Sequence, residues 1–196
     1  MSSLPVTQGD SVEGVKGGKV LLTLHFVKAE FMLAFIRDAN DSRSVTDSIN
    51  LLHKQLGPDM LRQLIPILLC DNESEFTNPQ ALESDEYGSN RTQVFYCDPS
   101  APHQRGSGER NHEFIRLFIP KGASMDHLTQ DDVTLMMDNI NSYGRKILGD
   151  KSPYEMMAFL YGKKILNDLG CKRIPPNEVV LNATIFRKQA PVDSNA

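Results

Sequence analysis

Cysteine is scarce in this 196-residue chain. Cys70, Cys97 and Cys171 are too few and too scattered for a disulfide framework. Cys70 ends an apolar run and reads as a buried thiol. Long apolar runs are also missing: no stretch approaches the roughly 18 residues that span a bilayer. The opening Met1-Ser-Ser-Leu-Pro5 lacks the basic and then apolar pattern of a secretion signal. The expectation is a cytoplasmic protein with no membrane partner. The 13 Gly and 11 Pro show no three-residue period, which excludes collagen. There is no internal repeat. What is present is ordinary for a globular protein: 40% hydrophobic and 23% charged residues, enough apolar surface to offset the entropy of ordering the chain. The length fits one domain, or two at most.

The net charge of −4 argues against a protein that simply coats nucleic acid. The average hides a contrast. Residues 71–86 carry Asp71, Glu73, Glu75, Glu83, Asp85 and Glu86 and no basic residue. Residues 143–173 carry seven Lys or Arg against Asp150, Glu155 and Asp168. An acidic cluster beside a basic arm suits a metal site next to a phosphate-binding surface. On composition alone, an ordinary charged surface is the favoured reading.

The hydrophobic period sorts the elements. Val20 to Val27 is apolar and reads as a strand, with Gly17-Gly18 as a turn and Pro5 to Val15 as its hairpin partner. Phe31 to Ile36 reads as a third strand after a tight connection, Lys28-Ala-Glu30. Val45, Ile49, Leu52 and Leu56 then mark one helix face, with Ser44 as N-cap, Asp47 at N3 and Gly57-Pro58 as the stop. Ile65 to Cys70 suits a strand buried on both faces, with Pro66 near its start. Thr92 to Cys97 is another strand, and Pro99 to Gly108 reads as a mobile loop. A helix follows from Glu109 to Phe118. Thr129 with Asp132 opens another through Ile147, with Val133, Met136, Met137 and Ile140 as its apolar stripe. Ser152-Pro-Tyr-Glu155 starts a further helix. Asn177 to Ile185 suits a short terminal strand, and the last ten residues a frayed end. The fold class is α/β: a mixed sheet, with an antiparallel meander and parallel strands, flanked by helices.

Three carboxylates stand where such sheets build sites. Asp71 directly follows a buried strand, although an Asp-Asn pair also suits a plain turn. Asp10 lies within a strand, where a carboxylate is unfavourable unless paired or solvated at an edge. Glu109 begins a helix, where the dipole favours an acid in any case. Together they offer oxygen ligands from two strands and a helix start. Hard divalent cations take such ligands. A pair of ions about 3.5–4 Å apart can activate an attacking hydroxyl and stabilise a leaving 3′ oxygen.

The order of motifs resembles a known family. Gly9-Asp-Ser-Val-Glu-Gly-Val-Lys-Gly-Gly-Lys19 with Leu21 to Leu24 is similar to the opening of the catalytic core of insertion-sequence transposases of the IS-thirty type. Pro66 to Phe76 resembles their second motif. Tyr96 to Pro99 and Gln104-Arg-Gly-Ser-Gly-Glu-Arg-Asn111 resemble their third. Ile119 to Gly122, Asn139 to Asn141, Arg145-Lys146 and Ser152 to Glu155 follow in the family's order. The likeness runs from about Leu4 to about Phe186.

The resemblance implies a ribonuclease-H-like, integrase-type fold. Residues 4–123 would be the catalytic core, 124–186 its helical C-terminal extension and 187–196 a flexible tail. It implies an Asp-Asp-Glu enzyme in which Asp10, Asp71 and Glu109 bind two Mg²⁺ or Mn²⁺ ions and catalyse strand cleavage and strand transfer in transposition. DNA, as transposon ends and target, would be the partner, and a homo-oligomer would join the two ends. Asn72 would shape the turn beside Asp71, and Asn111 would lie near the site. Arg145, Lys146 and Lys151 are chosen by charge as phosphate contacts.

Three departures stand out. The family usually has Gly where Glu73 stands, an apolar residue at Gly9 and Asn at Arg110. A glycine would permit a positive φ that Glu73 resists, and an added carboxylate can disturb Asp71. Relatives carry an N-terminal helix-turn-helix region that is not expected within this chain. The competing expectation is therefore a catalytically inactive remnant that only binds DNA or its own kind. A ribonuclease acting on hybrid duplexes shares the chemistry but not the later motifs. Cys97, His103 and His112 have loose metal-like spacing without paired ligands, so zinc is not expected.

Overall fold

The computed structural model describes residues 4–98 and 106–189. Three strands, β1 (Val6–Glu13), β2 (Val20–Phe26) and β3 (Phe31–Arg37), form the expected antiparallel meander. Two shorter strands, β4 (Ile67–Cys70) and β5 (Gln93–Tyr96), add to the other side of β1 in parallel. The sheet order is β3-β2-β1-β4-β5. Every residue of β2 is buried, because helices cover both faces of the sheet there.

Side chains alternate across a strand, so the sheet feeds two cores. On one face Leu22, Leu24, Phe31, Leu33, Leu68 and Cys70 pack against α1 (Ser42–Leu56), α2 (Pro58–Leu64), α6 (Pro153–Tyr161) and α7 (Lys163–Asp168). On the other, Val12, Leu21, Met32 and Ala34 pack against α4 (Gly106–Phe118) and α5 (Gln130–Ser142). A short helix, α3 (Pro79–Glu83), contributes Leu82 to the first core. The apolar stripe of α5 is core as expected: Val133, Met136, Met137 and Ile140 are all buried. All three cysteines are buried.

Several boundaries differ from the sequence expectation. α1 is capped by Asp41, not Ser44: the Asp41 carboxylate accepts from the Ser44 backbone N–H at 2.8 Å. Gly57 does end α1, at φ 79°, but Pro58 opens α2 at its first position, where its missing N–H costs nothing. β4 is buried on one face only: Leu68 and Cys70 are core, while Ile67 and Leu69 are half-buried. α4 begins at Gly106 rather than at Glu109. α5 ends at Ser142 instead of running to Ile147, because Tyr143 turns extended and a 3-10 turn, Lys146–Leu148, follows. No strand forms over residues 177–185. The Asn139 side chain takes the Val180 N–H at 2.8 Å, and a 3-10 segment, Ala183–Gln189, lays Ile185 and Phe186 on the second core. Both capping boxes, Thr129 with Asp132 and Ser152 with Glu155, are formed. Of the loop expected over residues 99–108, 106–108 open α4 instead and 99–105 lie outside the described residues; of the tail expected over 187–196, 187–189 belong to the 3-10 segment and the rest lies outside the described residues.

Candidate active site

Register puts the first two carboxylates at matching positions of adjacent strands. β1 and β4 run parallel with Gln8 opposite Leu69 as the last paired position. Asp10 and Asp71 each lie two residues beyond that pair; within β1 the side-chain period of two puts Asp10 on the face that α4 covers, and Asp71 directly follows β4. Gly9, between Gln8 and Asp10, faces the opposite core. A Cβ there would sit 3.2 Å from Cys70 Sγ and 3.3 Å from Leu68 Cδ1, so those side chains occupy the space that an apolar residue would need.

Asp10 is held at several atoms. Its Oδ1 accepts from the Ser11 N–H at 2.7 Å, and the Thr23 hydroxyl donates to its carbonyl at 3.1 Å. His112, on α4, reaches both partners. Its Nε2 is 3.0 Å from Thr23 Oγ1 and its Nδ1 is 3.6 Å from Asp10 Oδ2. With the Thr23 proton given to the Asp10 carbonyl, Nε2 is the ring nitrogen that donates to Thr23, and Nδ1 faces the carboxylate.

Asp71 caps its own turn: Oδ1 accepts from the Glu73 N–H at 3.2 Å. Glu73 itself is exposed and has φ −73°, so this turn does not use the positive φ that a glycine would permit. Asn72 donates to the Cys97 carbonyl at 3.1 Å and so ties the end of β4 to the end of β5.

The first turn of α4 is docked on β1 by a glycine. The Gly108 N–H donates to Gln8 Oε1 at 3.0 Å, and a Cβ at Gly108 would stand 2.8 Å from that same oxygen. Glu109 is the next residue along this helix; its side chain lies outside what the structure describes. Among the described residues no three His, Cys, Asp or Glu side chains form a ready ligand set. The donor chemistry of Asp10 and Asp71, carboxylates at adjacent strand ends, fits a hard divalent ion. Of Cys97, His103 and His112, Cys97 is buried, His112 faces Asp10 and His103 lies outside the described residues.

Behind α4 lies a buried polar cluster. Asn111, 2% exposed, donates from Nδ2 to Glu30 Oε2 at 3.1 Å and lies 3.3 Å from His25 Nδ1. Arg145, 7% exposed, donates from Nη2 to the Ile140 carbonyl at 3.2 Å and to Asn111 Oδ1 at 3.5 Å. Its guanidinium carbon is 3.6 Å from the Phe114 ring centroid. Burial, aided by His112, holds the His25 imidazole down to about 4, so it is neutral at pH 7. Burial also lowers Arg145 to about 10, partly offset by Glu30, and leaves it charged. Arg145 is therefore not placed as a surface phosphate contact, whereas Lys146 and Lys151 are exposed. Sequence reasoning passed over Gln8, Thr23, His25 and Glu30. A signal existed for two of them: Gln8 shares Asp10's strand face, and His25 interrupts an apolar run.

No protein-family model matches the chain. The transposase InsI for insertion sequence element IS30C of Escherichia coli (strain K12) is 30% identical over 155 residues, 79% of this chain and 38% of that protein. The transposase for insertion sequence element IS1086 of Cupriavidus metallidurans is 34% identical over 65 residues, 33% of this chain and 19% of that protein. The chain thus spans well under half the length of these relatives. Among solved structures, the catalytic core domain of BIV integrase has a TM-score of 0.58 at 19% identity and covers 83% of this chain and 99% of its own. At that identity the likeness is one of fold. With two carboxylates at neighbouring strand ends of an integrase-type mixed sheet, the chain resembles the ribonuclease-H-like catalytic core of insertion-sequence transposases of the IS-thirty (IS30) type.

Proposed function

We propose that this chain is the catalytic part of a transposase that cuts and joins DNA strands with divalent metal ions. The observation that carries the reading is the register of β1 and β4, which puts Asp10 and Asp71 at matching positions past the last ladder pair. In this reading Asp10, Asp71 and Glu109 hold Mg²⁺ or Mn²⁺. When bound, a pair of such ions lowers the barrier to in-line attack on a phosphodiester by stabilising both the attacking and the leaving oxygen. The chain's own residues do the rest. Ser11 and Thr23 fix the Asp10 carboxylate and its backbone. The Glu73 N–H fixes Asp71, and Gln8 seats the helix that carries Glu109. The DNA partner is the element's ends and a target, and joining two ends calls for more than one copy of the chain.

Lys146 and Lys151 are the phosphate contacts in this proposal. They are exposed on the 3-10 turn after α5 and just past it. Such contacts strengthen binding without reading sequence. The test is nicking and strand transfer on DNA carrying the element's ends, with Mg²⁺ or Mn²⁺ and with the relatives' end-recognition region supplied by fusion. Metal-dependent cutting that Asp10→Asn and Asp71→Asn each abolish is expected. Cutting that survives Asp71→Asn sinks the proposal. RNA–DNA hybrid and DNA duplexes compared side by side separate it from a hybrid-specific ribonuclease.

A further inference from the structure

The N-terminal half of α4, which carries Glu109, has almost no apolar anchorage. The buried apolar side chains of the helix, Ile115 and Phe118, belong to its C-terminal half. Upstream of them the helix is held through polar groups: the Gly108 N–H on Gln8, His112 on Thr23, and Asn111 within the buried cluster. Asn111 and Phe114 lie three residues apart and so share one helix face. One group touches both of them. The Arg145 guanidinium stacks on the Phe114 ring at 3.6 Å and donates to Asn111 Oδ1.

Holding a cation here is costly in solvation, and its Nε and Nη1 have no hydrogen-bond partner among the described residues. Lys146, one residue on, is exposed, so the chain has an open route to solvent that Arg145 does not take. What compensates the charge is specific. Nη2 meets the Ile140 carbonyl near the C-terminus of α5, where the helix dipole is negative. Phe114 offers its π face, with Tyr143 at 5.4 Å. The Glu30 carboxylate joins through Asn111. Glu30 itself sits at φ 50°, a region that residues with a side chain seldom adopt. The cluster thus links α4 to the end of α5 and to the turn between β2 and β3.

We propose that Arg145 is a positioning residue: clamped between Phe114, Asn111 and the end of α5, it sets the rotation of α4 on the sheet and so where Glu109 stands relative to Asp10. This deepens the proposed function and rests on it for the role of Glu109. It replaces a phosphate contact by an internal one.

Two measurements separate the possibilities. Hydrogen exchange of α4 amides in Arg145→Met needs no cutting activity; it should speed up about tenfold or more across residues 108–113 and leave α1 and α6 unchanged. Strand cleavage at saturating DNA should fall about tenfold or more, with DNA affinity and its salt dependence as in the parent. Arg145→Lys keeps the charge but loses the planar stack, so both readouts should fall between parent and Arg145→Met. Phe114→Leu removes the stack and keeps Arg145, and should reproduce the exchange change even if Arg145→Met does not fold. Parent-like exchange in α4 for Arg145→Met and Phe114→Leu overturns the inference. So does a DNA affinity that drops with a salt slope about one unit smaller, the signature of a lost phosphate contact. Should the parent chain itself never cut, the functional proposal fails, while the exchange data still decide the role of Arg145.

Discussion

Asp10 and Asp71 stand equal distances past the last paired residues, Gln8 and Leu69, of two adjacent parallel strands. Sixty-one positions of chain separate them, yet the ladder gives them matching positions on adjacent strands. A calorimetric Mn²⁺ titration should therefore lose most of its heat in Asp71→Asn and in Asp10→Asn. The loss in affinity should exceed the roughly 10- to 100-fold that outer-sphere partners contribute at metal sites. Both variants should keep the parent's melting temperature within a few degrees. Equal Mn²⁺ affinity in parent and Asp71→Asn would falsify the metal site.

Gly9 is closely packed against the first core. Gly9→Val should destabilise the fold by about 1–3 kcal/mol, because Cys70 and Leu68 already fill the space. In a Cys70→Ala background the same substitution should cost less, since the two sites share one volume. Denaturant titrations of the four proteins in this cycle check the coupling. Additive penalties would mean that the space is not shared.

Glu73 takes an ordinary extended backbone conformation, so nothing in the turn calls for glycine. Glu73→Gly is expected to leave nicking unchanged. It should lower stability slightly, by about 0.5–1 kcal/mol, through the freedom that glycine gains in the unfolded chain. A revertant that cuts when the parent does not would show instead that the Glu73 carboxylate is inhibitory.

Two buried groups give opposing pH slopes. His25 is held down to about 4 by burial, from 6.5. Unfolded chains take up that proton below about 6.5 while the folded protein resists until about 4, so stability is lost as pH falls through this window. Burial raises the Asp138 carboxyl from 3.8 to about 6, against the pull of the Lys172 N–H. The folded state keeps that proton while the unfolded chain gives it up, so stability is lost as pH rises from about 3.8 to 6. The two effects offset each other between about pH 4 and 6. Asp138→Asn keeps an acceptor for Lys172 and removes one slope. It should stabilise the protein at pH 7 by about 1–3 kcal/mol. Below pH 6.5 it should expose the acid loss due to His25. Thermal melts across pH 4–8 test this, and a variant with the parent's pH profile refutes it.

Much of the fold was legible because it is local. The meander strands announced themselves by apolar, β-branched runs broken at Gly17-Gly18 and at Glu30. Both capping boxes were readable because each joins residues three positions apart, and the stripe of α5 because helical spacing repeats. Boundaries failed where neighbours intervene. α5 stops at Ser142 although its pattern continues, and residues 177–185 form no strand because the Asn139 side chain, not a sheet edge, takes the Val180 N–H.

The order of chemistry-bearing motifs is written along the chain, and the sequence alone singled out Asp10, Asp71 and Glu109 together with the mixed α/β architecture. Folding decided which of these groups meet. Strand register aligned Asp10 with Asp71, a close glycine contact seated α4 on Gln8, and packing turned Arg145 inward while Lys146 stayed in solvent. Spacing and residue type travel with the chain, but proximity across a ladder and the desolvation of a charge arise only once distant segments are packed together.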